Sequence, residues 1–428
     1  MSEITIHSSS LFDPKQKQFL PNVSISVDQK SGNIVKVWNR DDEATEIGDN
    51  DIDLRGKTVL PGLVDAHTHI FLHAYAERPS LNQKRDESRT ERTIRAVNHC
   101  RLALSAGFTT YRDLGSESMG DADAHVRDAI ARGLMPGPRL FVATKVLAST
   151  GSYEPRTENA EHVCLPSGAE AVDGVDEIRR AVRRRIAAGA DVIKFFADYR
   201  RRIMRYPPAQ QHPYISSVLH PPEQPNPDVL LFSQEEMDMI VQEAELAECP
   251  VAAHCGTITG ALCAVRAGAK TIEHAYYANE ALFAEMVKRD VVFVPTLSVC
   301  EALHPKRMEE IKAQVALAHR MGVKMACGGD TGPVPHGENA RELELMIEAG
   351  VPVEDVIAAC TYGGWEACGG DRCGLKFGLF EAGNRADIIA LESDPREDVK
   401  AFRKVNFVMK DATVWKRNGH DLPMDIST

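Results

Sequence analysis

Apolar and polar positions along the chain follow two regimes. Over the first 58 residues they alternate in short runs, as in Val23-Ser24-Ile25-Ser26-Val27 and Ile34-Val35-Lys36-Val37, broken by Gly, Asn and Asp. Period-two alternation turns one face of each run toward a core and predicts strands. The far end behaves likewise in Ala386-Asp387-Ile388-Ile389-Ala390-Leu391, Val405-Asn406-Phe407-Val408-Met409 and Ala412-Thr413-Val414-Trp415. Chain ends often lie close together, so both sets of strands are expected in one small sheet. Between them, β-rich runs at 59–66, 108–114, 139–146, 191–197, 250–255, 271–275, 291–296 and 323–329 alternate with helical stretches over 91–105, 175–188 and 234–247. Ser233 is placed as an N-cap of the last of these helices.

Three near-copies of one phrase mark helix-to-strand transitions: Ser105-Ala106-Gly107-Phe108, Ala188-Gly189-Ala190-Asp191 and Ala267-Gly268-Ala269-Lys270. Glycine closes a helix in the left-handed conformation, and an apolar strand follows. Eight strands separated by helices predict an α/β chain built as a closed, TIM-like (β/α)8 barrel. A doubly wound open sheet would carry Gly-x-Gly-x-x-Gly after an early strand, and this chain has none there. Residues 200–231, with seven prolines and no periodicity, are expected to form a long irregular loop on the catalytic face.

Composition narrows the partners. The 428 residues are 43% apolar and 26% charged, as in ordinary folded domains. A net charge of -12 is poor footing for nucleic acid, which is excluded as a main partner. The chain has no run of 18 apolar residues and no basic, apolar leader at its start, so a soluble cytoplasmic protein without membrane partners is expected. Ten cysteines without a Cys-x-x-Cys pair read as reduced, buried thiols.

Candidate chemistry sits at strand ends. His67-Thr68-His69 closes the first run, and side chains two apart on a strand point the same way, so both imidazoles can ligate one ion. Lys194 lies between Val192-Ile193 and Phe195-Phe196, His254 and His274 end the fifth and sixth runs, and Asp330 follows the eighth. Singly, each histidine reads as a hydrogen-bonded core residue and Asp330 as a turn or cap residue. Together they occupy the strand ends where barrel enzymes keep their chemistry, and they predict a metal site.

These residues carry a resemblance. Val59-Leu60-Pro61-Gly62-Leu63-Val64-Asp65-Ala66-His67-Thr68-His69 and the closing Glu381-Ala382-Gly383-Asn384-Arg385-Ala386-Asp387-Ile388-Ile389 resemble signatures of the amidohydrolase superfamily, over nearly the whole chain. The resemblance implies a metal-binding barrel over 59–371 and a small β-sandwich made from 1–58 with 372–428. It implies two divalent ions, with Zn2+ expected: His67, His69 and Asp330 would hold the first, and His254 and His274 the second. Lys194, converted by carbon dioxide to a carbamate, would bridge them. Asp330 would also be the catalytic acid-base group, working with a water activated between the ions.

Within the superfamily the strand-end motifs look most like the group of imidazolonepropionase, aminoacyl-proline dipeptidases and ochratoxinase. That implies cleavage of an amide bond in a dipeptide or N-acyl amino acid, including ochratoxin-type amides, and allows a homo-oligomer. Tyr199 and Arg205 are the candidates for gripping a substrate carboxylate, a task suited to Arg, and His336 is a further substrate-binding candidate. The rival readings are hydrolysis of a cyclic amide or small heterocycle, a one-metal nucleobase deaminase, and a metal-free scaffold.

Overall fold

The computed structural model describes residues 3–41, 46–152, 167–200 and 228–423. Strands from the two chain ends meet in one nine-stranded sheet. Glu3–Asp13 pairs antiparallel with Gln18–Asp28, which pairs with Asn33–Asn39. Thr58–Pro61 lies between Glu3–Asp13 and Ile388–Leu391, and Val405–Lys410 follows on the far side. Ile6, Val23, Ile25, Ile388, Phe407 and Met409 form a core under this sheet, as the alternation requires.

The run expected over 59–66 divides at Gly62. Thr58–Pro61 belongs to the terminal sheet, whereas Leu63–Thr68 opens a parallel ladder with Phe108–Asp113 and Arg139–Val142. A Cβ at position 62 would lie 2.2 Å from Thr109 Oγ1, so the crossing is possible only for glycine. A second parallel ladder runs Ile193–Phe196, Val251–Cys255, Thr271–His274 and Val292–Val294. Main-chain bonds join these pieces: Asp191 N–H donates to Val142 O (2.8 Å), Ala326 N–H to Phe293 O (3.0 Å) and Ala66 N–H to Cys327 O (2.8 Å).

Two strand expectations are corrected. The third run ends at Val142, because Thr144 turns left-handed at φ 60°, and Val146–Ala148 joins the second ladder beside Ile193–Phe196. The eighth forms only isolated bridges at Met325 and Thr331. A Cβ at Gly328 would lie 2.6 Å from Val294 Cγ1 and 2.8 Å from the His67 backbone nitrogen, too close for a regular pleat.

Helices fall near their expected places. Arg89–Ser105 is capped by the Ser88 side chain, and Gln234–Glu245 by Ser233 in a reciprocal box with Glu236. The first buries Ala96, Cys100, Ala103 and Leu104 and the second Met237, Ile240, Val241 and Ala244, and each fully buried large apolar side chain among them contributes about 1.5–3 kcal/mol. Among the described residues no helix is long and apolar enough to cross a membrane. The expected 200–231 loop is described only at its stem, where Asp198–Arg200 pairs antiparallel with Asp228–Leu230; residues 201–227 lie outside the described residues.

Candidate metal centre

The parallel strands carry their polar residues to one end. His67 and Thr68 finish Leu63–Thr68, Lys194 lies within Ile193–Phe196, and His254 and His274 lie at the ends of adjacent paired strands. His67, His69 and Asp330 place one ligand atom each within 4.8 Å of one another, and all three are buried. Asp330 Oδ1 is 3.3 Å from His69 Nε2 and 3.7 Å from His67 Nε2. Ring contacts extend the cluster: His67 to His274 at 4.9 Å, then His274 to His254 at 4.5 Å between centroids. Lys194 is buried, and among the described residues its Nζ and the Asp330 Oδ1 have no hydrogen-bond partner.

Backbone strain gathers here. His274, Ala275, Thr296 and Asp330 all have φ between 47° and 68°. Each such non-glycine residue costs about 1–3 kcal/mol and persists only when its surroundings hold it. Those surroundings are visible around Asp330. The Asp65 carboxylate accepts from the backbone of His67 and Gly329, from Thr331 Oγ1 (2.8 Å) and from Asn339 Nδ2 (2.6 Å), tying the first strand end to the turn that carries Asp330.

The imidazoles are oriented from behind. His67 Nδ1–H donates to Glu273 (2.8 Å), and His69 Nδ1–H donates to the Gly115 carbonyl (3.0 Å). His274 Nδ1 is hydrogen-bonded to Thr296 Oγ1 at 2.8 Å. For His67 and His69 this turns Nε2 inward, the arrangement a metal ligand requires. Glu273 is itself bound by the buried Arg112 guanidinium (2.8 Å), which also donates to the Ala66 carbonyl.

Electrostatics follow from burial and crowding. Burial, then the Lys194 ammonium, brings His67 down to about 4. Burial and neighbouring cationic groups push His254 and His274 well below the ordinary imidazole range, leaving neutral donors. Burial lowers Lys194 to about 8, so a useful fraction of its amine is neutral near pH 7. For His69, burial opposes charge, but the Asp330 carboxylate 3.3 Å from Nε2 and the field of Glu117 outweigh it and raise it to about 9. Burial would raise Asp330, yet His67 and His69 hold it ionised at about 2.

Other candidates fall differently. Tyr199 stands beside the cluster, its ring 5.4 Å from that of His254. Arg205 lies outside the described residues. The contacts of His336 point elsewhere: its ring stacks on His99 at 4.1 Å and its Nε2 pairs with the Leu72 carbonyl at 3.1 Å, which ties it to helix Arg89–Ser105. Arg112, Glu273, Asp65 and Thr296 were not singled out from sequence. The available signal was a charged residue inside an apolar strand, as in Thr271-Ile272-Glu273-His274, since a buried charge must be paired.

The amidohydrolase family profile matches residues 58–417. The chain belongs to the amidohydrolase family. As an amidohydrolase it is a hydrolase of amide-type bonds. It is 28% identical to ochratoxinase from Aspergillus niger, over 97% of this chain and 86% of that protein. Among solved structures, a Xaa-Pro dipeptidase with methionine bound in its active site superimposes with a TM-score of 0.81 at 28% identity, covering 97% of this chain and 100% of the other. The A. niger ochratoxinase structure gives a TM-score of 0.78 at 25% identity, covering 97% and 96%.

Proposed function

We propose that this amidohydrolase is a two-metal enzyme that cleaves the amide bond of a dipeptide or N-acyl amino acid. The observation that carries this reading is Lys194. Its amine is buried with no hydrogen-bond partner among the described residues, within the electrostatic reach of His67, His254 and Asp330. A permanent ammonium would be repelled by cations at the neighbouring histidines. Carbon dioxide adding to the neutral Nζ forms an N–C bond, releases one proton and leaves an anionic carbamate with two oxygens.

That side chain, with His67, His69 and Asp330 on one side and His254 and His274 on the other, fits a pair of divalent ions. Zinc suits the imidazole and carboxylate donors. The ions would supply an activated water and polarise the scissile carbonyl. Asp330, kept ionised, accepts the attacking water's proton and returns it to the leaving nitrogen. Tyr199, beside His254, faces the bound substrate.

The likeness to ochratoxinase and a Xaa-Pro dipeptidase supports the substrate class. We also read the parallel strands and residues 325–327 as one closed (β/α)8 barrel over 59–371, with 1–58 and 372–428 as the second unit. The linking bonds at Val142, Phe293 and Cys327 support this. Protein loaded with zinc and bicarbonate should hold two ions per chain and release an amino acid from a panel of N-acyl amino acids and Xaa-Pro dipeptides. Activity confined to cyclic amides, or no release at all, overturns the reading.

A further inference from the structure

Half-exposed aromatic rings line one side of the metal centre. Tyr199 stands edge-on to His254 (5.4 Å between centroids), while Tyr276 stacks on His274 at 5.3 Å and 26°. His304 stands edge-on to Tyr276 at 5.2 Å and continues the row outward. The two tyrosines stand against neighbouring imidazoles, since the His254 and His274 rings lie 4.5 Å apart. Tyr276 and His304 both keep accessible surface. Arg307 fixes this wall by donating to the Tyr276 carbonyl at 2.9 Å.

Ligand orientation alone does not require such rings. His274 is already held through Nδ1 by Thr296, and Tyr276 adds a flat face where its ring leaves the cluster. Aromatic faces in a partly dry cleft favour another planar group, by about 0.5–1.5 kcal/mol per ring pair beyond area burial.

We propose that Tyr276 and His304, next to the imidazole pair that Tyr199 also flanks, form a specificity subsite that takes a planar aromatic group of the substrate. The subsite deepens the amide-hydrolase reading and rests on it for turnover, but ring binding is measurable without turnover. Calorimetric titration of the metal-loaded protein with N-acetyl-L-phenylalanine against N-acetyl-L-alanine, and with N-benzoylglycine against N-acetylglycine, places the ring on either side of the amide. At least one aromatic member is expected to bind tenfold or more tightly than its aliphatic partner.

Tyr276→Ala and His304→Ala should bring that ratio close to one, Tyr276→Phe should retain it, and the metal content of all three should stay at the parent value. Where turnover is seen, the same change should appear in KM and not in kcat. Equal binding of aromatic and aliphatic members, or an unchanged ratio in both alanine variants, overturns the subsite. Aromatic preference without hydrolysis of any amide would support it while sinking the hydrolytic reading.

Discussion

Glu273 shows how one residue can govern a centre it does not enter. Its carboxylate receives His67 Nδ1–H on one oxygen and the Arg112 guanidinium on the other, with all three side chains almost wholly buried. The pair fixes the His67 tautomer and enriches Nε2 as a donor. Glu273→Gln keeps the shape but loses the charge, and is expected to weaken metal retention about 10–100-fold. Competition with a chelator checks this in protein whose circular dichroism matches the parent; unchanged retention would remove Glu273 from the centre. The histidines and Asp330 were legible because they end apolar strands. Glu273 and Arg112 were not, since their meaning lies in a contact spanning 161 positions.

At the scale of elements, one helix cap was readable and the strand junctions were not. Ser233 announces its helix because capping is a local contest between a hydroxyl and the first free N–H groups, whereas the Ser88 cap came only with the structure. Gly62 looks in sequence like one residue of a single strand, yet it is where the chain passes from one sheet to another. Its neighbour there, Thr109, comes from 47 positions away in sequence, and no local pattern encodes that approach. Gly62→Ala should press a methyl group into Thr109 and cost about 1–3 kcal/mol. Denaturant unfolding at constant slope measures it, and a midpoint equal to the parent's would show that the strands separate without strain. The same crowding at Gly328 explains why the eighth run bridges its neighbours without becoming a regular strand.

Across the molecule, the terminal sheet is clamped to the parallel strands through charge. Arg139 binds Asp387 (2.7 Å) and Asp411 (2.5 Å), and the Asp411 backbone returns a bond to Asp387. Burial opposes the Asp411 charge, but Arg139, Lys410 and Arg385 overcome it and hold it near 2. A depressed carboxylate means that the unfolded chain binds more protons. The stabilisation is therefore complete above the ordinary carboxylate value and is lost as pH falls through about 2. Arg139→Met leaves Asp387 without its guanidinium while Asp411 keeps only Arg385 and Lys410, and should cost about 3–5 kcal/mol at pH 7. The difference from the parent should shrink between pH 4 and pH 2, and a gap independent of pH would mean the clamp is not electrostatic.

The amino-acid order alone determined the alternation of strands and helices, the pairing of both ends in one sheet and the strand ends that bear imidazole, amine and carboxylate. Each of these depends on period and neighbours within a few residues. Which residues orient the histidines, where His336 packs and how Tyr199 and Tyr276 come to flank His254 and His274 were decided only by the tertiary structure, because contacts between distant segments depend on how closely two backbones approach.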